Sequence, residues 1–544
     1  MADPTTLLAF AETAAAIAGT SKKLEKAALL GNYFAALPDE VLAVAARYFS
    51  ERVFPLYDQR TLNVGFAQLR DAVRALVPAS DDEIRALSVR LGDVGDMVAE
   101  LLARRPPPAP GWTLPQLQAL FDELAATGGS KAKVQQLVAA LTEWTPLEAR
   151  YASKLMMGEL RIGLREGLVE DALARLYGHP LGEVSRANML LGDIGETAVR
   201  ARHGTLSTAR MRLFHPIKFM LASPIAAPDE LAQTFAPPYF VEDKYDGIRA
   251  QLHKDASGRL AIFSRTLDEV SHRFPELHSD ARGLPGDLLL DGEVLGWRDG
   301  RALPFKEFQQ RLGRKTVSPA LLGEVPVVFV TFDLLYANGE LLLERSLAER
   351  RSALERLPLE GSVRLSEIRV CESADEAAAQ FEPARDRGQE GLMIKDPRSL
   401  YKPGRRGQEW VKLKRALATL DVVVTAVEWG HGRRRHLLSD YTFAVRAGED
   451  EPTLLNVGKA YSGLTDAELA EMTEWFKAHT IRDFGRVRLV EPRIVLEVAF
   501  DVVQPSPRHK SGYALRFPRI VRLRDDKLPS EIDTLEAVKR LAGV

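Results

Sequence analysis

Three short segments of this chain occur twice, in the same order. Gly19-Thr20-Ser21-Lys22-Lys23 returns as Gly129-Ser130-Lys131-Ala132-Lys133. Ala46-Arg47-Tyr48 returns as Ala149-Arg150-Tyr151, and Leu91-Gly92-Asp93-Val94-Gly95-Asp96 returns as Leu191-Gly192-Asp193-Ile194-Gly195-Glu196. Copies that keep their order roughly one hundred residues apart imply two equivalent units on a pseudo-twofold frame. Segments such as Lys23–Leu37, Val41–Phe49, Asp81–Leu102, Val134–Leu141 and Leu147–Met157 place apolar residues at three- and four-residue spacing, so the units are helical. The Pro-rich stretch Arg104 to Gly111 lies between them and cannot continue a helix.

The Gly-Ser-Lys copies carry a second expectation. A small polar residue before an apolar-periodic run reads as a helix N-cap, and the free N–H groups of a helix start attract phosphate. Ser21 and Lys22 in one copy, with Ser130, Lys131 and Lys133 in the other, are therefore candidate contacts to a duplex backbone. Two ordinary capped helices account for the same residues, and both readings stand open at this point.

From about residue 212 the periodicity changes. Short runs rich in Val, Ile and Phe alternate with helices: Tyr239–Val241, Ala261–Ser264, Leu288–Leu290, Val327–Phe332, Gly391–Ile394 and Trp410–Leu413. That is an α+β domain. From 420 onward strands dominate, at Asp421–Glu428, Tyr441–Val445, Ile494–Val503 and Ile520–Leu523, with one helix at about 465–478. Short strands around a single helix fit a small β-barrel of the OB type. A tail helix is expected from Ser530, with Ile532, Leu535, Val538 and Leu541 on one face. The expected domains are thus 1–210, all-α; 211–416, α+β; and 417–544, an OB-fold barrel.

Composition narrows the class without choosing a function. A chain of 544 residues suits about three or four domains of ~150 residues. Apolar residues make up 46% and charged residues 27%, and no apolar run reaches the ~18–20 residues that span a bilayer. The N-terminal stretch lacks the basic start of a signal peptide. A single cysteine, Cys371, excludes an internal disulfide and a four-cysteine zinc module, and a cytoplasmic location fits. The net charge of −2 does not exclude nucleic acid, since phosphate contacts need local basic patches and not a basic total.

The chemistry is concentrated in the α+β region. Lys244-Tyr245-Asp246-Gly247-Ile248-Arg249 places a lysine at a strand end beside an Asp-Gly turn. Such a lysine serves as a nucleophile when cations and partial burial keep its amine partly neutral. Downstream follow Ser264-Arg265, Asp291-Gly292-Glu293, Phe332-Asp333, Glu390-Gly391-Leu392-Met393-Ile394-Lys395 and Trp410-Val411-Lys412-Leu413-Lys414. Each lies at or beside an expected strand, so the side chains can converge on one cleft. Attack of an amine on an α-phosphate calls for cations at the charged oxygens, which Arg265, Lys412 and Lys414 supply. It calls for carboxylates to hold a divalent ion and a ribose, and Glu293 and Glu390 are placed for that. Phe332 offers a face for a base.

This ordered set resembles the motifs of the ATP-dependent DNA ligases. The C-terminal run Leu515 to Lys527 looks like the last motif of that family, and Leu160-Arg161-Ile162-Gly163-Leu164 looks like part of the helical DNA-binding domain of its larger members. The resemblance spans nearly the whole chain and is nearest to the three-domain bacterial and archaeal enzymes. It implies a DNA-binding domain, an adenylation (nucleotidyltransferase) domain and an OB-fold domain. It implies ATP and Mg²⁺ (or Mn²⁺) as cofactors and nicked duplex DNA as partner, bound by a monomer. Lys244 would carry AMP as a phosphoramidate. Glu242 would contact the adenine amino group and Phe332 would stack on the ring. Arg249 and Glu293 would hold the ribose and nearby phosphates, with Arg265 also facing phosphate, and Glu390 would support the metal. Arg406 would bind the cofactor or the nick, and Lys412 and Lys414 the α-phosphate. Arg524, Asp526 and Lys527 would orient pyrophosphate, their domain swinging about a hinge near Arg415 to Asp421.

Two rivals remain on sequence grounds. An RNA ligase or a GTP-using capping enzyme shares Lys-x-Asp-Gly, but is not expected to carry this helical N-terminal region. A nick-binding protein with decayed catalytic machinery is disfavoured by the intact lysine and carboxylates. An NAD-dependent ligase would need zinc-binding cysteines that this chain lacks.

Overall fold

The computed structural model describes residues 3–542 apart from 226, 313, 315, 415–417, 432–433 and 450; the side chains of Val89, Lys306 and Lys414 also lie outside the described residues. The chain forms two compact units, Met1–Arg415 and Ala416–Val544.

The first unit opens with α1 (Leu7–Ala18), α2 (Lys23–Ala35), α3 (Asp39–Phe49), α4 (Phe66–Leu76), α5 (Asp81–Leu91) and α6 (Val94–Leu102). The second copy follows as α7 (Leu114–Ala126), α8 (Ser130–Glu143), α9 (Pro146–Met156), α10 (Glu166–Tyr177), α11 (Leu181–Leu191) and α12 (Ile194–Arg202). The stretch Arg104 to Gly111 is non-helical. The expected helix Asp81–Leu102 is two helices. Gly92 ends α5 in the left-handed conformation, and the Asp93 carboxylate accepts from the Asp96 N–H to start α6. The second copy breaks in the same way at Gly192 and Asp193.

The copies do not pack as separate halves. The early helices of each pack on the late helices of the other: α2 on α10, α3 on α12, α8 on α4 and α9 on α6. Two glycines set the closest approaches. A methyl group at Gly95 would lie 2.4 Å from the Arg150 carbonyl oxygen on α9, and one at Gly195 would lie 2.5 Å from the Ala43 carbonyl oxygen on α3. Matching ion pairs cross beside them, Arg47 to Asp193 at 2.7 Å and Lys154 to Asp93 at 3.0 Å. Each copy also sends one buried lysine to a carbonyl of the other, Lys26 to Ile162 and Lys133 to Leu62. A buried ammonium needs such an acceptor.

These contacts correct two expectations. Lys133 is 4% exposed and faces inward, so it is not presented to a phosphate. Neither serine is a side-chain N-cap. Lys22 occupies that position for α2 without a capping bond, and Gly129 occupies it for α8, leaving Ser130 as the first helical residue. Ser21, Lys22, Ser130 and Lys131 are exposed.

After the helices come two sheets. Their strands are β1 (Leu221–Ile225), β2 (Tyr239–Asp243), β3 (Ile248–Lys254), β4 (Leu260–Ser264), β5 (Leu288–Arg298) and β6 (Arg301–Ala302), then β7 (Val327–Ala337), β8 (Glu340–Leu341), β9 (Val363–Leu365), β10 (Arg369–Cys371), β11 (Gly391–Lys395) and β12 (Arg406–Lys414). One sheet runs β4-β3-β5-β7-β8, with β6 on β5 and β9 on β7; the other runs β1-β12-β11-β2-β10. Two side-chain amides act as backbone substitutes around the first sheet. Gln251 accepts from the Ile217 N–H and donates to its carbonyl. Gln59, from the loop before α4, accepts from the Glu269 N–H and donates to the Leu267 carbonyl.

The second unit is built on β13 (Ala418–Trp429), β14 (Leu438–Arg446), β15 (Leu454–Ala460), β16 (Thr480–Asp483), β17 (Val487–Val490), β18 (Val495–Phe500), β19 (Val502–Pro505), β20 (Tyr513–Arg516) and β21 (Arg519–Leu523). β13 pairs with β14 along one edge and with β18 and then β17 along the other. One helix, Asp466–Ala478, fills the gap between β15 and β16. The tail helix starts at Leu535 and not at Ser530. Pro529 opens only a short turn, and Ile532 packs against Val423 and Val495 ahead of the helix.

Mutual completion of the helical copies has a measurable consequence. A protease site placed in Arg104–Gly111 is expected to cut without separating the fragments, which should co-elute under native conditions. Residues 1–103 made alone should show no cooperative urea unfolding. Cooperative unfolding of that fragment would show that each copy closes its own core.

Candidate active site

The cleft lies where the two sheets of the first unit face each other, and it encloses about 720 Å³. Alternation along strands explains which side chains reach it, since residues two apart share a face. Glu242 and Lys244 reach it from the end of β2, Met393 and Lys395 from β11, and Arg406, Trp410 and Lys412 from β12. Arg249 on β3 stands directly opposite Glu293 on β5. Phe332 comes from β7, and Arg265 from the turn after β4. The cleft therefore gathers Lys244, Glu242, Arg249, Arg265, Glu293, Phe332, Glu390, Arg406 and Lys412. The Lys414 side chain lies outside the described residues.

Lys244 extends β2 by one step. Its N–H donates to the Gly391 carbonyl at 2.8 Å, and its own carbonyl accepts from the Glu390 N–H at 3.0 Å. This pairing sets the two side chains together, and the Lys244 ammonium forms an ion pair with the Glu390 carboxylate. Gly247 lets the following turn pass close under β5, because a methyl group there would lie 2.3 Å from the Val294 carbonyl oxygen.

Behind the cleft is a set of matched charges. Glu242 and Lys395 are 2% and 1% exposed and meet at 2.6 Å. Lys395 Nζ also lies 4.2 Å from the centre of the Phe332 ring and 4.4 Å from that of Trp410. The second oxygen of Glu242, Oε1, is buried with no hydrogen-bond partner among the described residues. Arg249 grips Asp291 through two nitrogens, at 3.1 and 2.7 Å, and its third donates to the Met220 carbonyl. Tyr401 donates to the same Asp291 carboxylate. Arg249 thus lines the cleft with its guanidinium already engaged. Asp333, beside Phe332, is held by Arg350 in a fully buried bidentate pair.

Glu293 stands apart from these pairs. Burial pushes its carboxyl up to about 8, with Lys244 and Arg249 opposing the shift and Asp291 and Glu390 adding to it. Among the described residues no cluster of three or more His, Cys, Asp or Glu could hold a metal ion. Glu293 and Glu390 offer hard oxygen donors, which suits a divalent ion completed by substrate phosphates and water.

The remaining expected cofactor residues belong to the second unit. Arg524 pairs with Asp421 at 2.8 Å and with Asp526 at 2.8 Å, and Lys527 reaches Asp421 at 2.5 Å. These three residues form one cluster within the second unit. Its hydrogen bonds from Arg524 hold the Asp526 carboxyl well below the usual range. Sequence reading assigned no role to Asp291, Lys395, Tyr401 or Trp410, and placed Asp421 only in the hinge. Asp291 carried a usable signal, since it shares a strand face with Glu293, two residues on.

Comparison with known proteins agrees along the chain. The model described as "ATP dependent DNA ligase domain" matches residues 219–414. "DNA ligase N terminus" matches 6–174, and "ATP dependent DNA ligase C terminal region" matches 434–527. The chain belongs to the ATP-dependent DNA ligase family. It is 50% identical to a "Probable DNA ligase" of Koribacter versatilis (strain Ellin345), over 98% of this chain and 96% of that one. It is 35% identical to a "DNA ligase" of Archaeoglobus fulgidus, over 98% and 97% of the two chains. The solved structure "Pmar-Lig_Pre." superposes with a TM-score of 0.61 at 17% identity, covering 95% of this chain and 99% of that one, a likeness of fold.

In this ligase-family chain the raised Glu293 carboxyl gives a signed expectation. Its folded pKa of about 8 exceeds the ordinary value of ~4.3. The folded state therefore binds the extra proton between those values, and stability falls as pH rises from ~4.3 to ~8. Glu293→Gln should thus raise the melting temperature of nucleotide-free protein more at pH 9 than at pH 5. An equal change at both pH values would show that Glu293 does not hold the proton.

Proposed function

We propose that this chain seals nicks in duplex DNA, joining a 5′-phosphate to a 3′-hydroxyl through a lysyl-AMP and then a DNA-adenylate. The observation that carries this reading is Lys244 held against Glu390 in a cleft lined by Phe332 and by Glu242, whose Oε1 is buried without a hydrogen-bond partner among the described residues. A buried acceptor without a partner suits the amino group of adenine, and the ring suits its face.

Three displacements follow. Lys244 Nζ attacks the α-phosphorus of ATP, the N–P bond forms, and the bond to the bridging oxygen of pyrophosphate breaks. A 5′-phosphate oxygen at the nick then attacks the same phosphorus, releasing the lysine. Last, the 3′-hydroxyl attacks the 5′-phosphorus, loses its proton and expels AMP. In the first step Lys244 must shed its proton, and Glu390 is the carboxylate already touching it. Lys412 and Lys414 stabilise charge on the α-phosphate, Arg265 faces the phosphates of the cofactor, and Arg406 binds the cofactor or the nick. Arg249, fixed by Asp291, supports Glu293 and the ribose from below. Glu293 and Glu390 would hold Mg²⁺ or Mn²⁺, which would neutralise phosphate charge when bound.

The modules assigned to these tasks are 1–210 for DNA, 211–416 for adenylation and 417–544 as an OB-fold. Support for the last comes from β13 pairing on both sides and from the single helix between β15 and β16. Arg524, Asp526 and Lys527 orient pyrophosphate in the first step only, so the OB-fold domain swings between steps. Part of the expected hinge, 415–417, lies outside the described residues. Ser21, Lys22, Ser130 and Lys131 contact the duplex backbone, and the enzyme acts as a monomer.

Incubation with α-labelled ATP and Mg²⁺ should label the wild type and leave Lys244→Ala unlabelled. The label should pass to a nicked duplex and leave as AMP when the strand seals. Label that ignores nicked DNA would move the reading to RNA ligation or capping. Absence of label on protein first treated with pyrophosphate would favour a nick-binding protein.

A further inference from the structure

We propose that Lys395 is the positioning residue that makes the nucleotide pocket select a 6-amino purine over a 6-oxo purine, by holding Glu242 as a hydrogen-bond acceptor. This rests on the reading that Glu242 meets the base. The geometry is specific. Lys395 occupies Glu242 Oε2 at 2.6 Å, so on this cleft-lining residue Oε1 is left buried and without a hydrogen-bond partner among the described residues. An ionised carboxylate accepts and cannot donate. Oε1 therefore suits the amino group at C6 of adenine and repels the oxygen at C6 of guanine or hypoxanthine. A site whose buried polar group is left unpaired, or faced with a second acceptor, rejects the wrong ligand strongly.

Without the lysine the preference should change character. Burial already pushes the Glu242 carboxyl up, with Lys395 the largest opposing influence, Arg351 on helix Leu347–Glu355 opposing further and Asp333 on β7 adding to the rise. The Tyr245 phenol lies within electrostatic reach of Glu242, and its own ionisation is pushed up first by burial and then by Glu242. With Lys395 removed, Glu242 takes up a proton, and a protonated carboxyl donates as well as accepts. It can then serve an oxygen at C6. Lys395 is held in place from a second direction by Phe332 and Trp410, whose faces it touches. The residue that fixes the acceptor thus also backs the ring on which the base would stack.

The test compares lysyl-nucleotide formation with ATP and with inosine triphosphate, which carries an oxygen at C6. The readout is the ratio of kcat/KM for the two. Lys395→Met should lower the ATP preference at least tenfold, more at pH 6 than at pH 9. Lys395→Arg, which keeps the charge, should retain most of it. Equal loss with both nucleotides would overturn the proposal and leave Lys395 a structural residue.

Lys395→Met leaves Glu242 unmatched in a buried site, so it can fail to fold. The pair Glu242→Gln and Glu242→Gln/Lys395→Met then carries the test, because the amide oxygen in the first still accepts from Lys395 and the second buries no charge from the pair. If Lys395 acts only through Glu242, the two proteins should show the same nucleotide ratio. A further drop in the double variant would overturn the proposal. Glu242→Gln also separates the two readings. An unchanged ratio in that variant sinks the assignment of Glu242 to the base. A changed ratio there with an unchanged ratio in Lys395→Met sinks only the role of Lys395.

Discussion

A carboxylate withdrawn from water must meet a cation or take up a proton, and the cleft is organised by that requirement. Glu242, Asp291 and Asp333 stand on three different strands beneath it, each nearly or fully buried. Each is answered by a cation from another element: Lys395, Arg249 and Arg350. The pair Glu242–Lys395 ties neighbouring strands of one sheet, and Arg350 ties a helix to the other sheet. Removing one partner of such a pair costs about 3–5 kcal/mol, because the other charge is left buried alone. The pairs therefore fix side-chain positions more firmly than they add stability. Positional precision is what an in-line displacement at phosphorus requires.

Reciprocity is the corresponding constraint in the helical region. Helices of the two copies meet at backbone distance at Gly95 and Gly195, and the ion pairs at Asp93 and Asp193 cross between copies. The two copies share one continuous core. The Gly-Ser-Lys turns are thereby held in a fixed mutual relation. Their exposed members, Ser21, Lys22, Ser130 and Lys131, are set by the fold and not by loop flexibility. Lys26 and Lys133, one turn further into their helices, stabilise that assembly from inside.

Repetition and strand alternation were legible in the sequence because both are local patterns. The helical copies, the switch to strands near 212 and the convergence of Lys244, Glu293 and Lys412 all follow from spacing. Exchange between the copies was not legible, since spacing says nothing about which copy a helix packs against. Lys133 misled for that reason: its place in a basic turn looked solvated, while its partner, the Leu62 carbonyl, lies 71 residues away. Lys395 was visible in its motif yet silent as to role, because its meaning depends on Glu242, 153 residues away. The tail helix was drawn too long because Ile532 keeps the apolar spacing while packing as extended chain against Val423.

Charge also bears on Glu293, for which no ion pair is found among the described residues. Asp291 takes the Arg249 guanidinium, and Glu390 takes the Lys244 ammonium. Glu293 stands between these pairs, and burial pushes its carboxyl up to about 8 against the opposing pull of Lys244 and Arg249. A group in that condition is poised to exchange its proton for a stronger cation. Nucleotide binding would bring phosphates, and a divalent ion with them, into the same space. Losing the proton from Glu293 would then match the arriving positive charge, and drawing Glu390 toward that ion would weaken its hold on Lys244.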